Sequence, residues 1–158
     1  MDLKLITPHY CKLGFADVDR MLSIEERVYT HPWSRGNFTD SLSSGYEAFG
    51  FRNTELDLFA YFVVMPILDE LHLLNFAVDL PCQGQGYAKL LMDKLFAYTT
   101  EHAHASILLE VRRSNTRAIS VYEGAGFAAI GVRKGYYPAH DNQREDAIVM
   151  RRYVDADV

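Results

Sequence analysis

Gln83-Gly84-Gln85-Gly86-Tyr87-Ala88-Lys89 lies between the apolar run Leu71 to Val78 and the amphipathic run Lys89 to Phe96. A strand pattern that feeds a small-residue turn and then a helix leaves several backbone N–H groups unpaired at a positive helix end. Such an end attracts anions. Gly84 and Gly86 let the backbone approach a ligand with no Cβ in the way, and Ala88 is nearly as small. Pyrophosphate is the natural candidate. The P-loop spacing G-x-x-x-x-G-K-[ST] is absent, because one residue separates Gly84 from Gly86 and no Lys-Ser or Lys-Thr follows. The dinucleotide fingerprint G-x-G-x-x-G fails as well, since Lys89 stands where its third glycine would fall.

The chain of 158 residues suits one domain with one core, spanning residues 1–154 with a short tail over 155–158. Its net charge of −5 argues against a nucleic-acid partner and suits a small anion held by backbone N–H groups, or a basic peptide. No secretory h-region follows Met1, and the run Leu58 to Met65 is too short to cross a bilayer, so the cytoplasm is the expected compartment and no membrane partner is expected. Cys11 and Cys82 have no metal or redox spacing, and His102 and His104 do not share a helix face; no metal site is expected. Cys82 reads as a spacer before the turn, without a nearby histidine to activate it.

Taken in order, the pattern predicts a strand over Leu3 to Thr7, helices over Ala16 to Tyr29 and from an N-cap at Ser34 to Leu42, and strands over Tyr46 to Arg52, Leu56 to Met65 and Glu70 to Val78. His31-Pro32-Trp33 breaks the first two helices apart. A helix from Gly86 to His102, a strand over Ser106 to Val111 and a helix from Asn115 to Glu123 follow. Strands over Phe127 to Val132 and Ala147 to Tyr153, joined by a long loop from Arg133 to Asp146, complete the chain. This order implies a mixed α/β (α+β) fold: a central sheet of about seven strands flanked by about four helices.

Gln83 to Ala88 fits Q-x-x-G-x-A, which resembles the acyl-coenzyme A signature [QR]-x-x-G-x-[GA] of the GNAT acetyltransferases; the plain alternative is a turn that caps a helix. The resemblance extends to the RimI-like branch of N-terminal acetyltransferases. It is carried by Leu74 to Asp79, Leu109 to Asn115, Ala118 to Glu123 with Gly126-Phe127, Arg133 to Pro138, Arg144 to Ile148 and His31-Pro32-Trp33-Ser34. Ala88 replaces a commoner glycine, Gly84 a frequent basic residue and Phe76 a branched aliphatic.

The resemblance implies acetyl-coenzyme A as co-substrate and a protein N-terminus as acceptor, with the N-terminal alanine of small-subunit ribosomal protein eighteen as the branch's substrate. It also implies that Phe76, Ala77 and Val78 hold the acetyl and pantetheine portions through their backbone, while Gly84, Gln85, Gly86, Tyr87, Ala88 and Lys89 grip the diphosphate. Glu110 is the candidate general base: strand alternation sets it with Leu108, opposite Ile107, Leu109 and Val111. A salt bridge to Arg112 or Arg113 is its structural alternative. Tyr122 is the candidate general acid, or else an aromatic core residue; Asn115, seven residues earlier, shares its helix face and can reach the cofactor arm. The resemblance places the acceptor peptide between His31, Pro32 and Trp33 and the pair Tyr136-Tyr137, although Trp33 also suits a core and Tyr-Tyr-Pro a loop anchor. The competing functions are a lysine or small-amine acetyltransferase and a non-catalytic acyl-coenzyme A binding module. A monomer or weak dimer is expected.

Overall fold

The computed structural model describes residues 7–154. Seven strands lie in the sheet order β1-β2-β3-β4-β5-β7-β6: β1 His9–Leu13, β2 Glu47–Arg52, β3 Leu58–Ile67, β4 Glu70–Val78, β5 Ser106–Arg112, β6 Ala128–Pro138 and β7 Arg144–Tyr153. Four helices accompany them: α1 Val18–Val28, α2 Arg35–Ser43, α3 Tyr87–Glu101 and α4 Thr116–Gly124. The mixed α/β architecture expected from the element order is the one observed. The chain divides into two compact units, the described part of Met1–Met65 with Asn75–Leu95, and Pro66–Leu74 with Phe96–Val158. Strand β4 and helix α3 each run through both.

In the first unit β1, β2 and β3 form an antiparallel meander. β3 is buried on both faces from Leu58 to Val64, as its unbroken apolar sequence requires of a central strand. α1 buries Val18, Met21 and Ile24, a helical stripe whose continuation at Glu25 is also buried, and reaches β3 through Arg20 Nε, which donates to the Leu58 carbonyl at 2.8 Å. Ser34 caps α2, its Oγ accepting from the Asn37 N–H at 3.1 Å.

In the second unit β4 and β5 pair in parallel from Glu70–Ser106 to Leu73–Leu109, and β5 pairs antiparallel with β7 along its length. Leu71, Ile107, Leu109, Phe127 and Met150 form its core.

One element differs from expectation, and another lies largely outside the described residues. The strand sought over Leu3 to Thr7 falls largely outside the described residues; the first described strand begins beyond Pro8, where a residue lacking an N–H does no harm to a ladder. The long loop from Arg133 to Asp146 is instead a hairpin: β6 continues to Pro138, β7 starts at Arg144, and Tyr137 pairs with Glu145. Its composition is polar because side chains hold it. The Gly135 N–H donates to Asp146 Oδ1 at 3.0 Å, Arg144 Nε donates to the Gly135 carbonyl at 2.8 Å, and the ladder slips between Arg133 and Tyr137, where Gly135 adopts φ +58°.

Asp79, buried at the end of β4, is held by Arg27 through bonds of 2.9 and 2.7 Å and lies 3.7 Å from Arg20. Burial alone would raise its carboxyl, but the Arg27 hydrogen bonds and charge outweigh that and hold it below the ordinary carboxylate value. A depressed folded pKa adds stability above the unfolded value near ~3.9 and loses it as pH falls through the folded one. Asp79→Asn is therefore expected to cost about 1–2 kcal/mol at pH 7, a modest figure because Arg27 and Arg20 stay partly hydrated. Urea midpoints of the two proteins should converge below about pH 4; a gap that stays constant with pH would refute the assignment.

Candidate active site

The turn after β4 is built by its own side chains. Asp79 Oδ1 accepts from the Leu80 N–H at 2.9 Å, opening a short 3-10 turn over Leu80–Cys82. Gln83 Nε2 donates to the Val78 carbonyl at 2.9 Å and Gln85 Nε2 to the Pro81 carbonyl at 3.2 Å. Gly84 and Gly86 then turn the chain at φ +77° and +90°, a region that side-chain-bearing residues rarely adopt. A Cβ added at either would meet nothing within 4 Å, so the space in front of this turn is open. α3 starts at Tyr87 with no acidic side chain in its first turn to compete for the N–H groups there. Tyr87 packs its ring edge-on against Phe59 at 4.8 Å, which leaves its backbone as the part able to meet a ligand. Lys89 is exposed and pairs with Asp93 at 3.5 Å.

Phe76, Ala77 and Val78 are buried at the end of β4, beyond Leu73, where the recorded parallel pairing ends. The Phe76 N–H donates to Asn75 Oδ1 at 2.9 Å, and the Phe76 carbonyl accepts from the Tyr29 hydroxyl.

In the break between α1 and α2, Trp33 is half-buried with its ring edge-on to Phe38 at 5.1 Å, and its N–H donates to Glu25 Oε2 at 2.9 Å. Pro32 is exposed, and His31 Nδ1 lies 3.2 Å from Thr30 Oγ1. Glu25 was not singled out by the sequence, although an acid four residues after Met21 and seven after Val18 sits on the apolar stripe of α1.

In the second unit Glu110 is half-buried on β5. Neither anticipated ion-pair partner holds it. Arg112 pairs with Glu145 at 3.1 Å and Arg113 with Asp146 at 3.4 Å, while Arg133 Nε lies 3.3 Å from Glu110 Oε2. That oxygen is shielded from solvent and receives no well-aligned hydrogen bond among the described residues.

Tyr122 is buried on α4, edge-on to Phe127 at 5.7 Å. Burial, and then the neighbouring Tyr137, push its hydroxyl well above the ordinary phenol value, so it keeps its proton at neutral pH. Tyr137 is itself pushed up to about 12, by burial first and the charge of Glu110 second. The fold thus sets Tyr137 within electrostatic reach of Glu110 and places Tyr122 within reach of Tyr137. The Arg112 guanidinium sits 4.5 Å over the Tyr137 ring, and Tyr136 meets that ring edge-on at 5.0 Å. Asn115 is the N-cap of α4, its Oδ1 accepting from the Ala118 N–H at 3.1 Å, so its amide nitrogen is the end able to donate to a ligand.

Both cysteines are free, and the Cys82 thiol is pushed up by burial and by Asp79, which disfavours the thiolate. Among the described residues no cluster of His, Cys, Asp and Glu could hold a metal ion, and no helix is long and apolar enough to cross a membrane.

Residues 18–127 match the model of the acetyltransferase (GNAT) family. The chain belongs to this family. The acetyltransferase is 37% identical over 139 residues to a [ribosomal protein bS18]-alanine N-acetyltransferase of Haemophilus ducreyi, an overlap covering 87% of this chain and 94% of the relative. It superposes on the crystal structure of the ribosomal-protein-S18-alanine N-acetyltransferase from Escherichia coli with a TM-score of 0.85 and 32% identity, covering 96% and 97% of the two chains. The fold is also shared with a GNAT superfamily phosphinothricin acetyltransferase from Sinorhizobium meliloti, solved in complex with AcCoA, at a TM-score of 0.75, 16% identity and coverage of 94% and 89%. In this acetyltransferase the space before Gly84 and Gly86 is open at the mouth of a 15-residue helix, an end whose backbone N–H groups attract anions.

Proposed function

We propose that the protein transfers an acetyl group from acetyl-coenzyme A to the α-amino group of a protein N-terminus, the N-terminal alanine of ribosomal protein bS18. The observation that carries this is the overlap along nearly the whole chain with a [ribosomal protein bS18]-alanine N-acetyltransferase. In this reading the enzyme works in the cytoplasm as a monomer or weak dimer, without nucleic acid or membrane.

When bound, acetyl-coenzyme A supplies the acyl carbon and a thiolate leaving group. The backbone N–H groups from Gly84 to Lys89 hold the diphosphate, the backbone of Phe76, Ala77 and Val78 aligns the acyl arm as a strand partner would, and the Asn115 amide donates to that arm. As the new N–C bond forms and the C–S bond breaks, Glu110 takes the amine proton, directly or through a water, and the Tyr122 hydroxyl gives a proton to the departing sulfur. The half-buried carboxylate with its shielded, weakly engaged Oε2 suits the first role, and the phenol, protonated at neutral pH, has a proton to give in the second. In this reading His31, Pro32 and Trp33 contact the acceptor peptide, and Tyr136 and Tyr137 are the other residues assigned to it. An α-amino group of pKa about 7.8 is roughly a quarter neutral near pH 7.4, whereas a lysine near 10.4 is neutral about once in a thousand, a difference of roughly 3 kcal/mol. One carboxylate is enough for the first acceptor.

An alanine-initiated basic peptide is expected to release free coenzyme A thiol from acetyl-coenzyme A, and the same peptide with a blocked terminus is not. Equal release from the two would turn the assignment to a lysine or small-amine acceptor. No release from either would favour a binding module.

A further inference from the structure

Glu25 is 2% exposed, and none of the ion pairs among the described residues includes it. Neutral donors from three other segments satisfy it instead. The Tyr61 hydroxyl on β3 and Asn75 Nδ2 on β4 both donate to Oε1, the latter at 2.8 Å, and the Trp33 N–H in the helix break donates to Oε2 at 2.9 Å. Aromatic packing closes the circuit: Trp33 lies against Phe38 at 5.1 Å, and Phe38 against Tyr61 at 5.8 Å. A buried carboxylate without a cation adds little stability over an apolar residue of the same shape, so its use here lies in geometry. The Asn75 amide that donates to Glu25 also turns its Oδ1 to the Phe76 N–H, at 2.9 Å. A single carboxylate therefore ties the segment His31 to Trp33 to the end of β4.

We infer that Glu25 is a positioning residue: it fixes the acceptor wall at Trp33 to the acyl-holding end of β4 and so sets acceptor affinity. The inference rests on the proposed acceptor role of residues 31–33. Only an acceptor with two oxygens can serve three converging donors, and a carboxamide would turn an N–H₂ toward one of them. The diphosphate grip proposed for Gly84 to Lys89 lies outside this link, so affinity for acetyl-coenzyme A is expected to change little.

Trp33 is the only tryptophan in the chain, so its fluorescence reports this point alone. Glu25→Gln is expected to raise KM for an alanine-initiated peptide about tenfold while leaving kcat and KM for acetyl-coenzyme A within about threefold. It is also expected to speed hydrogen exchange at the Trp33 amide at least tenfold and to shift Trp33 emission. A lowered Tm with peptide KM and Trp33 exchange unchanged would make Glu25 a stability residue and overturn the inference. If Glu25→Gln does not fold, Asn75→Ser cuts the same tie from the β4 side and is expected to raise peptide KM about fivefold; an unchanged KM there overturns it equally. Should the native enzyme fail to acetylate the alanine peptide, the substrate reading falls, while the Trp33 exchange comparison still decides the role of Glu25.

Discussion

Glu110→Gln is expected to lower kcat/KM for an alanine-initiated peptide about 100-fold at pH 7, with acetyl-coenzyme A binding and folding intact. The carboxamide keeps the shape of the side chain on β5 and cannot accept a proton. General-base assistance contributes roughly 10²–10⁴, and the lower end applies because an α-amino group is already partly neutral. The same reasoning fixes a pH signature. As pH rises above about 8 the acceptor deprotonates unaided, so the gap between native and variant enzymes should narrow. Loss of the Arg133 contact costs little, since the Arg133 side chain is 56% exposed. A pH–rate profile of both proteins on the free-terminus peptide is the measurement. A variant as fast as the native enzyme from about pH 6 to about pH 9, a range that brackets the α-amino titration, removes Glu110 from the chemistry.

Gly86→Val is expected to weaken acetyl-coenzyme A binding by at least about 100-fold, read by calorimetry at low salt. Two costs combine. At φ +90° an L side chain is strained by about 1–2 kcal/mol, and a β-branched one by more. A valine there also projects its methyl groups into the open space at the mouth of α3, where the diphosphate needs contact with backbone N–H groups. The strain alone should lower Tm by about 5 °C in a chain of this size. Gly14→Ala serves as the control, because Gly14 sits at φ −145° with open space around it, and neither Kd nor Tm should move. Binding by Gly86→Val at the native affinity would detach the diphosphate from this turn and remove the basis of the proposed cofactor geometry.

Local signals account for what was legible before the structure. The strand Glu70–Val78 begins and ends where its apolar run does, and the helix after Gly86 starts where small residues yield to an amphipathic repeat. Ser34 could be named as a cap because its partner, the Asn37 N–H, is three residues away. Each of these depends on interactions within a few residues, which a one-dimensional pattern contains. The family likeness drew on the same short segments.

Tertiary structure decided what joins distant segments. Arg133 as the neighbour of Glu110, in place of Arg112 or Arg113, depends on β7 lying between β5 and β6, an order that no local period encodes. The β6–β7 hairpin looked like a loop because charged residues that ordinarily mark loops here serve as its hydrogen-bond partners. Glu25 reaches Asn75 across 50 residues and Tyr61 across 36, so an acid that looks like a flaw in an apolar stripe finds its hydrogen-bond donors on two strands. Backbone propensity is a property of neighbours in sequence, whereas the satisfaction of a buried charge is a property of neighbours in space.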